Sequence, residues 1–138
     1  MPNRWYDVGA LVGGVGGAVT QKSWSGETTI MNAVAVTTGS WSSDIDLESG
    51  GYEGAHVIVD ADFPAGPTDN LIVQVHASLD GTNYDDTPLL AFEIDKATDP
   101  NQVSFILRDL CHAKLYCKRS GTTDTITVTA KYQAWKYA

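Results

Sequence analysis

Near its end the chain runs through Ile126, Val128, Ala130, Tyr132 and Ala134, set one for one against Thr125, Thr127, Thr129, Lys131 and Gln133. Strict alternation of apolar and polar side chains puts the two kinds on opposite faces of an extended strand, whereas a helix would scatter them around its axis. The same period of two returns upstream, in segments separated by Gly, Pro, Asp and Asn, and no segment sustains a helical period beyond two turns. Strands with one apolar face must bury that face against a second sheet. The expectation is therefore an all-β fold, an antiparallel β-sandwich or jelly roll of about eight strands, with a barrel as the alternative.

The segments can be read in turn. Residues 28–37 are ambiguous, because Ile30, Val34 and Val36 compete with Met31, Ala33 and Ala35 for the inner face. Trp41, Ile45 and Leu47 alternate with Ser42, Asp44, Asp46 and Glu48, which places Trp41 inward and the Asp44/Asp46 pair on a solvated strand face. Val57, Val59, Ala61 and Phe63 leave Asp60 and Asp62 outside. Leu71, Val73, Val75, Ala77 and Leu79 form an inner face, with Gln74, His76 and Ser78 opposite. Leu90, Phe92 and Ile94, then Val103, Phe105 and Leu107, then Ala113, Leu115 and Cys117 complete the set before the last strand. Outward aspartates on such strands discourage sheet-to-sheet aggregation.

A chain of 138 residues with 43% hydrophobic and 19% charged residues is long enough for one self-sufficient domain. Its net charge of -8 argues against nucleic acid, since phosphate binding depends on Lys and Arg that release counterions. The charge is also segregated. No Lys or Arg occurs from Ser23 to Asp95, a stretch with thirteen acidic residues, while residues 96–138 carry seven basic against three acidic ones. Pairing of early strands with late ones would neutralise this asymmetry. If it survived on the surface, copies of the chain would meet acidic side to basic side.

The start, "WYDVGALVGGVGGAVTQKSW", is the one compositionally odd stretch. Arg4 is offset by Asp7 and five glycines interrupt the apolar run, so a cleaved signal peptide is not expected. Val8 to Val19 would make a helix of about 18 Å against a bilayer core of about 30 Å, so no membrane span is expected. Five glycines would also cost an exposed helix about 5 kcal/mol relative to alanine. The reading is an extended arm, residues 1–24, attached to a β-sandwich domain, residues 25–138. Trp5, Tyr6, Leu11, Val12, Val15 and Trp24 are its partner-binding anchors, on a neighbouring subunit, a larger assembly or the arm's own domain. Cys111 and Cys117 on one strand would lie about 20 Å apart at Cα, beyond the ~7 Å reach of a disulfide, which predicts two free thiols and suits a reducing compartment.

"SLDGTNYDDTP", residues 78–88, poses the sharpest functional question. Asp80-Gly81 supplies the positive φ of a tight turn, Asn83 and Asp85 can bond their own backbone, and Tyr84 would fold over the corner. Asp80, Asn83, Tyr84 and Asp85 are the candidate loop contacts. Calcium is a rival use of the oxygens of Asp80, Asn83, Asp85 and Asp86, but the alternating acids of an EF-hand are missing, so no metal or cofactor is expected.

"HASLDGTNYDD", followed by "FILRDLCHAKLYCKRSGTTDTITVTAKYQAW", resembles the corner and the Thr/Val-rich last strand of small β-sandwich virion proteins of tailed bacteriophages, in particular capsid decoration or cement proteins. The resemblance spans about residues 71–135. It implies a homotrimer on the capsid exterior that binds the major capsid protein lattice through a terminal arm and is assembled in the host cytoplasm. A tail, neck or fibre-base protein of the same build is the alternative. "SLDGTNY" is also similar to the corner of discoidin-like carbohydrate-binding modules.

An enzyme is not expected. His56, His76 and His112 are scattered over separate strands, and the chain has no phosphate-binding glycine loop with Lys-Ser or Lys-Thr, no nucleophile elbow and no paired metal-ligand histidines. Three or more coplanar exposed rings among the Trp and Tyr residues would favour the sugar reading, and aromatics buried between chains would favour assembly.

Overall fold

The computed structural model describes residues 21–137. They form ten strands: β1 (Lys22–Trp24), β2 (Thr28–Val36), β3 (Ser40–Trp41), β4 (Ile45–Asp46), β5 (Gly54–Asp62), β6 (Leu71–Ser78), β7 (Leu90–Ile94), β8 (Asn101–Arg108), β9 (His112–Arg119) and β10 (Ile126–Tyr137). All strand pairs are antiparallel, in two five-stranded sheets. The first runs β1-β10-β5-β8, with β2 sharing the β10 edge, and the second runs β3-β9-β6-β7, with β4 sharing the β9 edge. No helix among the described residues is long and apolar enough to cross a membrane.

Alternation explains the core. Val57, Val59 and Ala61 of β5, Val128, Ala130 and Ala134 of β10, Leu71, Val73 and Val75 of β6, and Leu115 and Cys117 of β9 are all buried in one cluster that draws on both sheets. Each fully buried Val or Leu contributes about 1.5–3 kcal/mol relative to exposure. Burial also pushes the Cys117 thiol up to about 12, so it is a packed apolar group; both cysteines are free.

Every late strand lies against early ones: β10 between β5 and β1/β2, β9 between β6 and β3/β4, and β8 on β5. The topology thus interleaves the acidic first part of the chain with the basic last part, with Lys131 3.6 Å from Glu27 as one ion pair.

The structure departs from the sequence expectation in identifiable places. There are ten strands where about eight were expected, because β1, β3 and β4 are two or three residues long and too short to show a period. The ambiguity of residues 28–37 has a physical source in a bulge. The β2–β10 register shifts around Ala130, Ala33 takes φ 49°, and both Ile30 and Met31 are buried in sequence. Trp41 points outward and is 51% exposed, and Leu79, expected inside, is 85% exposed just past the end of β6. Asp44 sits in the loop between β3 and β4, not on a strand face.

At one end of the body two buried aspartates clasp the chain. Asp124 Oδ2 accepts the N–H groups of Thr68 (2.7 Å) and Asp69 (2.8 Å), while Asp69 Oδ2 accepts those of Thr123 (3.0 Å) and Asp124 (2.8 Å). These backbone bonds, led by that from Asp124, hold the Asp69 carboxyl below its ordinary value. The clasp ties the approach to β6 to the approach to β10.

Candidate functional site

The residues 78–88 corner is built from its own turn chemistry. Gly81 has φ +74°, a left-handed conformation that glycine adopts without strain. Ser78 Oγ accepts the N–H groups of Asp80 (3.2 Å) and Gly81 (3.0 Å). The Asp80 carboxylate accepts the N–H of Asn83 (2.8 Å) and of Thr82 (2.9 Å), the Asn83 amide (2.9 Å) and the Ser78 hydroxyl (3.0 Å). These donors hold Asp80 well below the usual carboxylate range. Its oxygens are occupied by the turn, which accounts for them without a cation.

Beyond the turn, the corner is tied to residues distant in sequence. The Tyr84 hydroxyl donates to Asp44 Oδ1 at 2.6 Å, with the Gly81 carbonyl at 3.1 Å. Burial, then the bond to Asp44, pushes the phenol above its ordinary value. Asp44 Oδ2 accepts from His112 Nδ1 at 2.7 Å, and His112 Nε2 donates to Glu48 Oε1 at 3.1 Å. Burial works against the imidazolium, but the hydrogen bonds to Asp44 and Glu48 override it and hold the His112 pKa above its ordinary value. Asp44, Asp46 and His112 bring ligand-type atoms within 4.8 Å of one another. Both ring nitrogens are already partnered, so proton sharing accounts for the cluster.

The far side of the corner folds back over the outer face of the second sheet. Asp85 N–H donates to the Ala77 carbonyl (2.9 Å) and Leu89 N–H to the Val75 carbonyl (2.7 Å). His76 Nδ1 bonds the Asp85 carbonyl at 2.7 Å, and its Nε2 lies 3.0 Å from Gln74 Oε1. His76 and Ser78 stand on the predicted outer face of β6 but are buried, because the loop covers them. The result is a pocket of about 320 Å³ lined by Trp41, His76, Tyr84, Asp85, Asp86 and Lys114. Trp41 packs against Tyr116 (4.7 Å, 48°) and His76 (5.0 Å, 63°), and the Lys114 ammonium sits 4.6 Å from the centre of the Tyr84 ring.

Of the sequence-predicted contacts, Tyr84 and Asp85 reach this pocket, while Asp80 and Asn83 hold the turn behind it. Trp41, His76 and Lys114 were missed as site residues, and Asp86 figures in the sequence reading only as an oxygen donor to calcium. The register β3–β9–β6 brings Trp41, Lys114 and His76 together, and only a strand order could have revealed that.

Of the arm anchors, Trp5, Tyr6, Leu11, Val12 and Val15 lie outside the described residues. Trp24 belongs to β1 and packs on Trp135 with ring centres 5.4 Å apart, Lys22 lying 5.0 Å from the Trp135 ring. Trp135 lies across Gly54, where a Cβ would stand 2.4 Å from the indole. Trp24 itself remains 47% exposed. No family model matches the chain, and no curated protein matches it.

Proposed function

We propose that this chain is a non-catalytic structural protein of a tailed-phage virion, a β-sandwich body that docks on the capsid exterior through its leading residues and associates as a homotrimer. The observation that carries the reading is the edge position of β1. The segment that follows the glycine-rich start enters the body as a three-residue strand on the margin of the first sheet, and Trp24 leaves nearly half its surface free beside Trp135. An anchor of this kind suits a tether, because a half-exposed indole gains most when a partner covers the rest.

The resemblance of residues 71–135 to decoration proteins supports the same reading. So does the state of the reactive side chains: Cys117 is buried, and both nitrogens of His112 are bound by carboxylates. Binding to expanded phage heads, followed by light scattering and by the melting temperature of the heads, tests the proposal. The expected result is a trimer that raises the head melting temperature, with Trp24→Ala weakening head binding while leaving the isolated body folded. A monomer with no effect on heads overturns it, and binding to tails instead moves the location.

A further inference from the structure

We propose that the pocket on the outer face of the second sheet binds a single neutral sugar ring. This goes beyond the assembly reading and does not depend on it.

The argument begins with what the pocket leaves unused. Trp41 is half exposed at the edge of the sheet, held in place from behind by Tyr116 and His76. Among the described residues, the carboxylates of Asp85 and Asp86 have no hydrogen-bond or ion-pair partner, and neither has the ammonium of Lys114. The three stand around one cavity of about 320 Å³, at the lower end of the range for small-ligand sites.

Charge then selects the class of ligand. A cation at the Trp41 indole would share the cavity with the Lys114 ammonium, which already lies against Tyr84 and would repel it. An anion would meet two carboxylates. A purely apolar ligand would strip water from all three charged groups without replacing it. A neutral ring with a C–H face for the indole and a rim of hydroxyls satisfies every group at once: the carboxylates accept from hydroxyls and the ammonium donates to them. The neighbouring rings are tilted by 48° and 63°, so they form no flat platform for a long polysaccharide. The site fits one residue of a glycan.

The test is titration of the full chain with the methyl glycosides of glucose, galactose, mannose and N-acetylglucosamine, read by tryptophan fluorescence and saturation-transfer NMR. At least one should bind with a millimolar constant, lose about tenfold or more in Trp41→Ala and about three- to tenfold in Asp86→Asn. Circular-dichroism melts check that each variant is folded. Should Trp41→Ala not fold, Asp86→Asn decides, since its carboxylate has no partner to lose among the described residues, and Lys114→Met, which gives up only the contact with the Tyr84 ring, serves as the second variant. Absence of binding by all four glycosides overturns the proposal, as does unchanged affinity in the folded variants. Tighter binding of phosphocholine or sialic acid than of any neutral glycoside overturns the assigned class.

Discussion

Asp124 and Asp69 aim their carboxylates at backbone N–H groups, whereas Asp44, beside the pocket, aims both oxygens at side chains, the hydroxyl of Tyr84 and the imidazole of His112. In the first corner the partners are backbone N–H groups that cannot titrate away, and the Asp69 carboxyl, held below its ordinary value, keeps its bonds until strongly acid pH. In the second, the central donor is a histidine whose charge changes near neutrality. The first corner is a fixed joint, and the second is an adjustable one that positions the loop lining the pocket on the second sheet.

The largest effect should come from breaking the fixed joint. Asp124→Ala leaves the N–H groups of Asp69, which is buried, and of Thr68, whose bond is only part-buried, without acceptors; at about 1–3 kcal/mol for the buried donor and less for the other, a loss of about 3 kcal/mol is expected in urea unfolding. Asp124→Asn keeps one acceptor oxygen and should lose less.

In the adjustable joint, His112→Gln removes a doubly bonded imidazolium and should cost about 2 kcal/mol in acid-to-neutral buffer. Because the folded pKa of His112 is raised, its stabilisation is complete below the ordinary value of 6.5 and disappears as pH climbs through the higher folded value. Thermal melts across that range should show the wild type and the variant converging as pH rises. Parallel curves would mean that His112 titrates alike in the folded and unfolded chain and that its folded pKa is not raised.

A smaller loss, about 1 kcal/mol, is expected for Tyr84→Phe, which keeps the ring under Lys114 and deletes only the bond to Asp44. Spectrophotometric titration should also find the wild-type phenol ionising above its usual pH.

The mildest difference lies on the acid side. Asp69, Asp80 and Asp46 all have lowered pKa values, so their stabilisation is present above the ordinary 3.8 and fades as pH falls through the folded values. Asp80→Asn should lower the melting temperature slightly near neutral pH and flatten part of that acid limb, the variant and the wild type converging as pH falls through the folded values.

Local signals made much of the body legible. The last strand, β6 and β9 carry their inner faces in plain alternation, and the Asp80-Gly81 turn announces itself because only a few residue types tolerate positive φ. What sequence periodicity cannot register is cover. His76 and Ser78 read as wet because they are polar and face outward, yet the returning loop buries them. Trp41 reads as core because it is large and apolar, but it belongs to a two-residue strand whose neighbours do not constrain its phase. Asp44 reads as a solvated edge because its partners stand 40 and 68 residues away, at Tyr84 and His112. The pocket was half visible for the same reason. Its loop residues lie together in the chain, and its sheet residues meet only through strand order.

The register of β1 on β10 sets Lys22 directly opposite Tyr137. Anything fused behind the final strand therefore begins next to β1, and a bulky reporter there would crowd the edge that β1 forms. The turn at residues 97–100, between β7 and β8, offers a more innocent place for a label.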